Sequence, residues 1–277
     1  MANLIQFFMT ELPTVIALCA VAVFALVERV IPRMRARPAW REHLPPILAL
    51  AALTTITTMV LNHGAQGHLI GAFSAIKLMS LAKLDLPAPL LFAACFLLVD
   101  FLTYVFHWLS HAVQPLWRLH SVHHSDEHVT AVSGQLHHPL ETVAAYVFLL
   151  FVYVILGVPV VVAAIYSLVF AVHNAFTHSN IRMPRAVDGA LRWAIVTPDM
   201  HRTHHSVDLR EGNSNFGQIF SFWDRLFGTY VAHPSVPEAE LVMGLPQGAR
   251  PDGFRVLSLL AFPFTRWPWR RGEAISR

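Results

Sequence analysis

The segment DFLTYVFHWLSH, residues 100–111, contains the end of an apolar stretch that begins at Pro87. Residues three or four positions apart lie on the same face of an α-helix. One face of this helix would therefore carry Asp100, Tyr104, His107 and His111. The segment predicts a membrane-spanning helix with a polar stripe that leads to a cluster of histidines.

The composition of the whole chain agrees with a membrane protein. Hydrophobic residues make up 55% of the 277 residues, and charged residues make up 13%, against about 25% in a soluble domain. The length fits one domain or a modest pair of domains. Cys19 and Cys95 both lie in apolar runs, so the sequence predicts neither a disulfide framework nor a thiolate metal site.

Apolar stretches along the chain predict an all-α integral membrane bundle of about four transmembrane helices. The last stretch is long enough for a tight helical hairpin, since one span needs about 20 residues, and Gly157-Val158-Pro159 lies at its middle. Residues 62–87 are predicted to form a loop with room for an interfacial helix. The stretches are Leu4–Val30, Leu44–Leu61, Pro87–Phe106 and Thr142–Thr177.

The basic residues predict the orientation of this bundle. Nearly all arginines lie in residues 31–43, 107–138 and 178–277, and the positive-inside rule places such segments in the cytoplasm. Because these arginines flank apolar segments and no nucleic-acid motif accompanies them, they predict contact with a membrane surface and not with nucleic acid. The expected division is an N-terminal transmembrane hairpin and loop (1–86), a histidine-rich domain (87–233) and an interfacial tail (234–277) with Arg266–Arg271.

Seventeen histidines are unusual for this composition, and many lie in four short groups. Each group is expected to present two or three imidazoles in one direction, and four such groups can converge on a volume large enough for two metal ions. Imidazole suits iron, zinc, copper and nickel, and the lack of thiolates argues against a structural zinc site. The groups are His107 and His111; His120, His123 and His124; Asn174 and His178; and His201, His204 and His205.

Isolated histidines are more often hydrogen-bonded core residues than ligands, and His43, His63, His68, His128 and His233 stay in that class. The four groups lie just beyond the ends of the apolar stretches. This position suits an enzyme that acts on a lipid, with its reactive centre in a cytoplasmic helical cap. A metal transporter would place its ligands near the middle of the bilayer.

The order HxxxH, HxxHH and a distant HxxHH resembles the fatty acid hydroxylase superfamily, also called the sterol desaturase family. The resemblance covers roughly residues 90–230. Further motifs that carry it are Trp117-Arg118-x-His120, His138-Pro139-x-Glu141, His178-Ser179-Asn180-Ile181, Thr197-Pro198-x-x-His201, Asn215-Phe216-Gly217 and Trp223-Asp224-Arg225-Leu226-Phe227-Gly228-Thr229.

The resemblance implies a non-haem di-iron oxidoreductase that uses O₂ to hydroxylate or desaturate an unactivated C–H bond of a lipid: a sterol, fatty acyl chain, sphingolipid, ether lipid or carotenoid. Zinc could substitute for iron. The tenth ligand stays open between Asn174, His173 and His138. The implied ligands are His107, His111, His120, His123, His124, His178, His201, His204 and His205.

Carboxylates near the boxes are expected to accept the second N–H of a ligating imidazole. The candidates are Asp100, Glu141 and Asp199. Asp224 could do the same, but capping or pairing with a neighbouring arginine is preferred for it.

The chain has no haem, flavin or iron–sulfur motif, so electrons would come from a separate donor of ferredoxin or cytochrome/reductase type. This donor could dock on the basic face that carries Arg182, Arg185 and Arg192. Two other functions remain open at this point: a membrane protein that binds or transports metal, and a catalytically silent scaffold that binds lipid.

Overall fold

The computed structural model describes residues 12–35, 38–74, 80–238, 240–246 and 248–265. In these ranges the regular elements are helices, joined by isolated β-bridges and without a named strand. Residues 4–11 of the first apolar stretch, Arg37, Lys77 and the tail Arg266–Arg271 lie outside the described residues. The long helices are α1 (Leu12–Val30), α2 (Trp40–Val60), α3 (Gln66–Ser74), α4 (Ala88–Ala112), α6 (Pro139–Leu156) and α7 (Val160–His178). The short helices are α5 (Gln114–His120), α8 (Arg185–Leu191), α9 (Pro198–His204), α10 (Leu209–Gly212), α11 (Phe222–Phe227) and α12 (Val256–Ala261).

Four helical segments in the described part of the chain are long and apolar enough to cross a membrane: Trp40–Ser74, α4, α6 and α7. Most of their side chains are not buried by the protein itself; Leu48, Ile56 and Val60, for example, are all more than half exposed. An apolar surface of this extent is stable in contact with lipid and not with water. The predicted all-α integral membrane bundle is confirmed.

The second membrane segment differs from its prediction. The helix does not end at Leu61, but continues through a π-helical turn at Leu61–Ala65 into α3. Asn62, the first residue of the predicted loop, is accommodated in the helix because its Oδ1 accepts a hydrogen bond from the Tyr146 hydroxyl of α6 (2.8 Å). The continuous segment has 35 residues, about 52 Å at about 1.5 Å per residue, which exceeds the roughly 30 Å hydrocarbon core.

The helical hairpin predicted for Thr142–Thr177 is present. α6 ends at Gly157, whose φ of 59° is left-handed, a conformation that glycine adopts without steric cost. A Cβ at this position would lie 2.8 Å from the Cα of Ser80. Pro159, with φ of −60°, directly precedes α7, so the chain reverses within three residues.

The polar segments that connect the helices meet at one end of the bundle. The residues that follow α1 and α7 meet there, where the Arg33 amide donates to the Asn180 carbonyl (2.9 Å). The start of α2 reaches the same end, because His43 bonds Asp126 (2.8 Å). We call this end the histidine end. The segments predicted to lie on one side, residues 31–43, 107–138 and 178–277, each have residues at this end in the described part of the chain.

Two apolar clusters support the histidine end. Cys95, Val99 and Val162 pack between α4 and α7 inside the bundle. A second cluster lies under the loops and packs α12 against the first turns of α2; it contains Ile47, Leu50, Val122, Leu136, Leu245, Leu259 and Phe262. The loops that carry histidines are thus held between the bundle and α12.

Candidate metal centre

The polar stripe on α4 is buried as its spacing predicts. Asp100, Tyr104, His107 and His111 are all buried residues of this helix. The last two reach the histidine end, while Asp100 lies about two turns earlier, at about 3.6 residues per turn. The stripe therefore brings two imidazoles to the histidine end from within a membrane segment.

Nine buried histidines form two groups at this end. The ligand nitrogens within each group lie within 4.8 Å of one another, which is close to the separation expected for nitrogens about 2.0–2.1 Å from a shared ion. The first group is His107, His111, His120, His124 and His204. The second group is His123, His178, His201 and His205.

The groups are adjacent, and each HxxHH box contributes to both. His124 and His205 belong to different groups, yet their rings stack with centroids 4.5 Å apart. The expectation that each box points in one direction is wrong. α5 ends at His120, and His123 lies in a separate 3₁₀ turn. In the second box His204 and His205 diverge, because consecutive helical residues are about 100° apart.

Protein oxygens orient most of these rings through Nδ1. In the first group, the Nδ1–H of His107 donates to the Phe216 carbonyl (2.9 Å) and that of His204 to the Ser214 carbonyl (2.7 Å). The Nδ1 of His111 lies 3.2 Å from Asn213 Oδ1. The two carbonyls belong to residues 213–217, the segment that contains the Asn215-Phe216-Gly217 motif.

The second group is oriented in the same way. The Nδ1–H of His123 donates to the Leu136 carbonyl (3.2 Å) and that of His178 to the Asn174 carbonyl (2.8 Å). Carbonyl oxygens only accept hydrogen bonds, so the proton of each of these neutral rings lies on Nδ1. Their Nε2 atoms therefore carry lone pairs.

The Nε2 atoms face one another across short distances. The separation is 3.2 Å between His107 and His120 and 3.1 Å between His123 and His178. The Nε2 atoms of His111, His124 and His204 are buried without a hydrogen-bond partner. Converging lone pairs in a buried space are unfavourable unless a cation lies between them.

Glu141 at the start of α6 is the carboxylate that contacts the imidazoles. Its Oε1 accepts from His120 Nδ1 (2.6 Å), and its Oε2 from His137 Nδ1 (3.2 Å). The His137 ring in turn stacks on His123, with centroids 4.6 Å apart. His137 is not among the histidines predicted from the sequence to lie at the site, although its i, i+4 spacing to Glu141 indicates contact on a helical turn.

The other candidate carboxylates bind elsewhere. Asp100 accepts hydrogen bonds from the Tyr166 hydroxyl, the Trp223 indole and the amides of Ile219 and Phe220, and Asp199 accepts from Arg33 Nε (3.1 Å). Both carboxylates therefore join segments of the protein, with no imidazole bond among the described contacts.

Asp224 holds the 213–217 segment in place through hydrogen bonds. It accepts from the amides of Phe216 and Gly217 and from the Thr229 hydroxyl. Burial raises the pKa of its carboxyl to about 6, although these hydrogen bonds oppose the shift. Its contact with the site is indirect, through the Phe216 carbonyl that orients His107.

The three alternatives for a tenth ligand lie outside both groups. The Asn174 side chain donates to the Gly134 carbonyl (2.9 Å). His138 caps α6, because its Nδ1 accepts from the Leu140 amide (3.1 Å) and its Nε2 bonds the Leu260 carbonyl. His173 is buried, with Nε2 unpartnered.

Five histidines of the two HxxHH boxes have strongly lowered pKa values. Burial, reinforced by the neighbouring imidazoles, lowers the pKa of each ring well below its usual value. The rings are neutral at physiological pH, which is the form that binds metal. They are His123, His124, His201, His204 and His205.

One of the arginines expected on the docking face is not available there. Arg192 is 6% exposed; it forms an ion pair with Asp188 and donates to the Ala232 carbonyl. Arg182 and Arg185 are exposed. The expected three-arginine surface is therefore corrected to these two, because the third neutralises a buried carboxylate.

Comparison with known proteins identifies similar chains. The fatty acid hydroxylase family model matches residues 92–229, a range that contains all nine grouped histidines. No solved structure matches the chain.

Three curated relatives illustrate the range of similar proteins. The ornithine lipid hydroxylase OlsE of Rhizobium tropici is 29% identical over 91% of this chain and 75% of its own length. Human alkylglycerol monooxygenase is 27% identical over 68% of this chain and 42% of its own. A cholesterol 25-hydroxylase-like protein of Danio rerio is 29% identical over 50% of this chain and 54% of its own. The chain thus spans about half or less of the length of the last two relatives.

Proposed function

This chain belongs to the fatty acid hydroxylase superfamily, and we propose that it is a membrane lipid hydroxylase with a di-iron centre held by the two histidine groups. The three relatives described above are named as hydroxylases or monooxygenases of lipids. These names favour hydroxylation over desaturation for this chain as well. The substrate is a membrane lipid, and O₂ is the co-substrate.

The observation that carries the proposal is the pair of buried groups with facing Nε2 atoms. A single proton could relieve one such contact, but a metal ion relieves every lone pair of a group at once. His107, His111, His120, His124 and His204 would hold one ion. His123, His178, His201 and His205 would hold the other.

Iron is favoured over zinc by the reaction. Imidazole binds several first-row metals, but cleavage of an unactivated C–H bond needs a redox-active metal. Iron ions in these groups would supply that redox chemistry together with O₂. Zinc remains an expected contaminant in purified protein, because the same ligands accept it.

The protein's own residues would orient the ligands and exclude water. The carbonyls of Phe216, Ser214 and Leu136 and the carboxylate of Glu141 fix the rings with Nε2 directed into the groups. The nine histidines are at most 5% exposed, so the centre is shielded from bulk solvent. Electrons would come from a separate donor protein, for which Arg182 and Arg185 offer an exposed basic surface.

The location of the groups argues against a transport protein. All nine histidines lie at one end of the bundle, whereas a transport path needs polar groups near the middle of the membrane. The positive-inside rule places this end in the cytoplasm. A silent scaffold has no need for nine buried imidazoles in facing pairs, each of which costs free energy when left without a cation.

Metal analysis and lipid profiling test the proposal together. Protein purified in the absence of oxygen should contain about two iron ions per chain, one for each histidine group, because imidazole ligands bind iron. Membranes of cells that express the chain should contain a hydroxylated lipid that is absent when His123→Ala or His204→Ala is expressed. His233→Ala, outside the groups, is the control. Iron-free protein, or product made by the His123→Ala variant, would refute the assignment.

A further inference from the structure

A small cavity lies beside the metal centre at the histidine end. It is formed where the end of α1, the start of α2, residues 127–130 and α9 meet, and its lining includes Glu28, Trp40, His128, Asn180 and Arg202. None of these residues belongs to the two histidine groups. The cavity is hereafter called the Arg202 cavity.

Arg202 is a buried cation with unused donors. It is 3% exposed. Its Nη2 donates to the Ser179 carbonyl and to Asn180 Oδ1, both at 3.1 Å. Its Nε and Nη1 are buried and have no hydrogen-bond partner in the described part of the chain. Unmade hydrogen bonds of a buried charged group are costly, and these two donors lack the acceptor that a buried guanidinium normally has.

The nearby carboxylates do not supply that acceptor. Asp199 and Glu28 act on the charge of Arg202, but each is bonded to other groups. Asp199 accepts from Arg33, and Glu28 Oε2 accepts from the amides of Asn180 (2.8 Å) and Ala131 (3.1 Å). The guanidinium is therefore only partly compensated, and it lines a cavity that has room for a small group.

We propose that the Arg202 cavity binds an oxyanion, a phosphate or carboxylate group, that pairs with the guanidinium of Arg202. A guanidinium matches the oxygens of such groups in charge and in geometry. The group belongs either to a lipid headgroup at the membrane face or to a free anion. Arg202 lies on α9 between His201 and His204, so the bound group would contact the helix that carries two of the three histidines of the second HxxHH box. The binding does not depend on the reaction at the metal centre.

This proposal is tested by measuring anion binding to the full-length protein in an uncharged detergent. One arm titrates inorganic phosphate and follows the unfolding temperature. The other arm uses native mass spectrometry to compare retention of phosphatidylglycerol with that of phosphatidylcholine of the same acyl chains. A response to phosphate alone identifies a free-anion site, and selective retention of phosphatidylglycerol identifies a headgroup site. Either response supports the proposal only if it depends on Arg202.

Substitutions test whether the response depends on Arg202. Arg202→Gln should weaken the anion binding about tenfold or more, which is the loss expected for one charge-assisted hydrogen bond. Arg210→Gln removes one exposed positive charge from the same end and should leave binding unchanged. Met34→Trp fills the cavity while keeping Arg202, and should also abolish binding, which covers the case in which Arg202→Gln does not fold.

Two results would overturn the proposal. The first is a protein with normal metal content that shows neither the phosphate response nor the lipid selectivity. The second is equal binding by the Arg202→Gln and Arg210→Gln variants, since general surface charge would then explain it. Metal content and lipid product are measured separately, so failure of the anion site is distinguishable from failure of the proposed hydroxylase function.

Discussion

Most imidazoles in the two groups are held through the nitrogen that faces away from the proposed ion. His107 and His204 donate to carbonyls of the 213–217 segment, whereas His120 donates to the carboxylate of Glu141. The carboxylate is the strongest of these acceptors, because a charged partner roughly doubles the strength of a hydrogen bond. Glu141 also holds His137, which stacks on His123 of the other group. A single side chain thus orients rings in both groups.

Removal of this charge should therefore weaken metal binding without removing a ligand. We expect Glu141→Gln to lower metal affinity about 10- to 100-fold, the usual effect of losing an outer partner of a ligating histidine. Iron content after competition with a chelator measures this. Glu240→Gln, at an exposed position, is the matched control. Equal iron retention by the two variants would contradict the role of Glu141.

At the scale of elements, the segment between α10 and α11 determines how the second half of the chain meets α4. Asn215 has a positive φ of 52°, and its side chain bonds the carbonyls of Met200 and Val231. Asp224 binds the next two amides. This geometry directs the Phe216 and Ser214 carbonyls towards histidines of two different helices. The loop is therefore part of the support of the metal centre.

Gly217 in this loop permits the close approach of three chain segments. A Cβ there would lie 2.7 Å from the Phe220 carbonyl oxygen and 2.9 Å from Asp224 Oδ2. Gly217→Ala should therefore displace the loop, lower stability by about 1–3 kcal/mol as overpacking does, and reduce iron content. The unfolding temperature and metal analysis measure both effects.

Gly189 in α8 provides the control for this substitution. A Cβ at this position meets no atom within 4 Å, and alanine is preferred over glycine inside a helix by about 0.5–1 kcal/mol. Gly189→Ala should thus keep or raise the unfolding temperature and leave the iron content unchanged. A Gly217→Ala variant as stable and as rich in iron as Gly189→Ala would show that the loop tolerates displacement.

At the scale of the whole molecule, the helix ends form two distinct surfaces. The histidine end collects the loops and α12, while the turn between α6 and α7 lies beside Ser80 at the other end. Leu86 precedes α4, whose last turns carry His107 and His111. Asp252 belongs to the histidine end, because the neighbouring Phe254 ring stacks on His43 (5.2 Å). These two positions should lie on opposite sides of the membrane.

Cysteine labelling can test this arrangement and the proposed cytoplasmic position of the histidines. Cys19→Ala and Cys95→Ala provide the background, and Leu86→Cys or Asp252→Cys adds one exposed thiol. A membrane-impermeant maleimide should label Leu86→Cys in intact cells and Asp252→Cys only after lysis. Labelling of both variants in intact cells would reject the two-sided topology, and the reverse pattern would reject the cytoplasmic orientation.

The sequence by itself determined the membrane bundle, the hairpin at Gly157 and the histidines that gather at one end. Hydrophobic content and helical spacing are local properties, and they do not depend on how distant segments pack. The same reasoning placed Asp100, Tyr104, His107 and His111 on one buried face. It failed at the start of the predicted loop 62–87, where the helix continues, because the hydroxyl that bonds Asn62 belongs to Tyr146, far along the chain.

Only the tertiary structure decided how the histidines divide between two groups. The split of the first box depends on where α5 ends. In the second box, helical spacing separates His204 from His205, but only the packing shows that His204 is the one that meets His107 of α4. Likewise, Asp100 and Glu141 are both carboxylates near histidine boxes, but only Glu141 contacts imidazoles. The Asp100 carboxylate instead accepts hydrogen bonds from the Ile219 amide and the Trp223 indole. The burial of Arg192 and Arg202 has the same origin: the packing of remote segments, and not local sequence, determines which polar groups find partners.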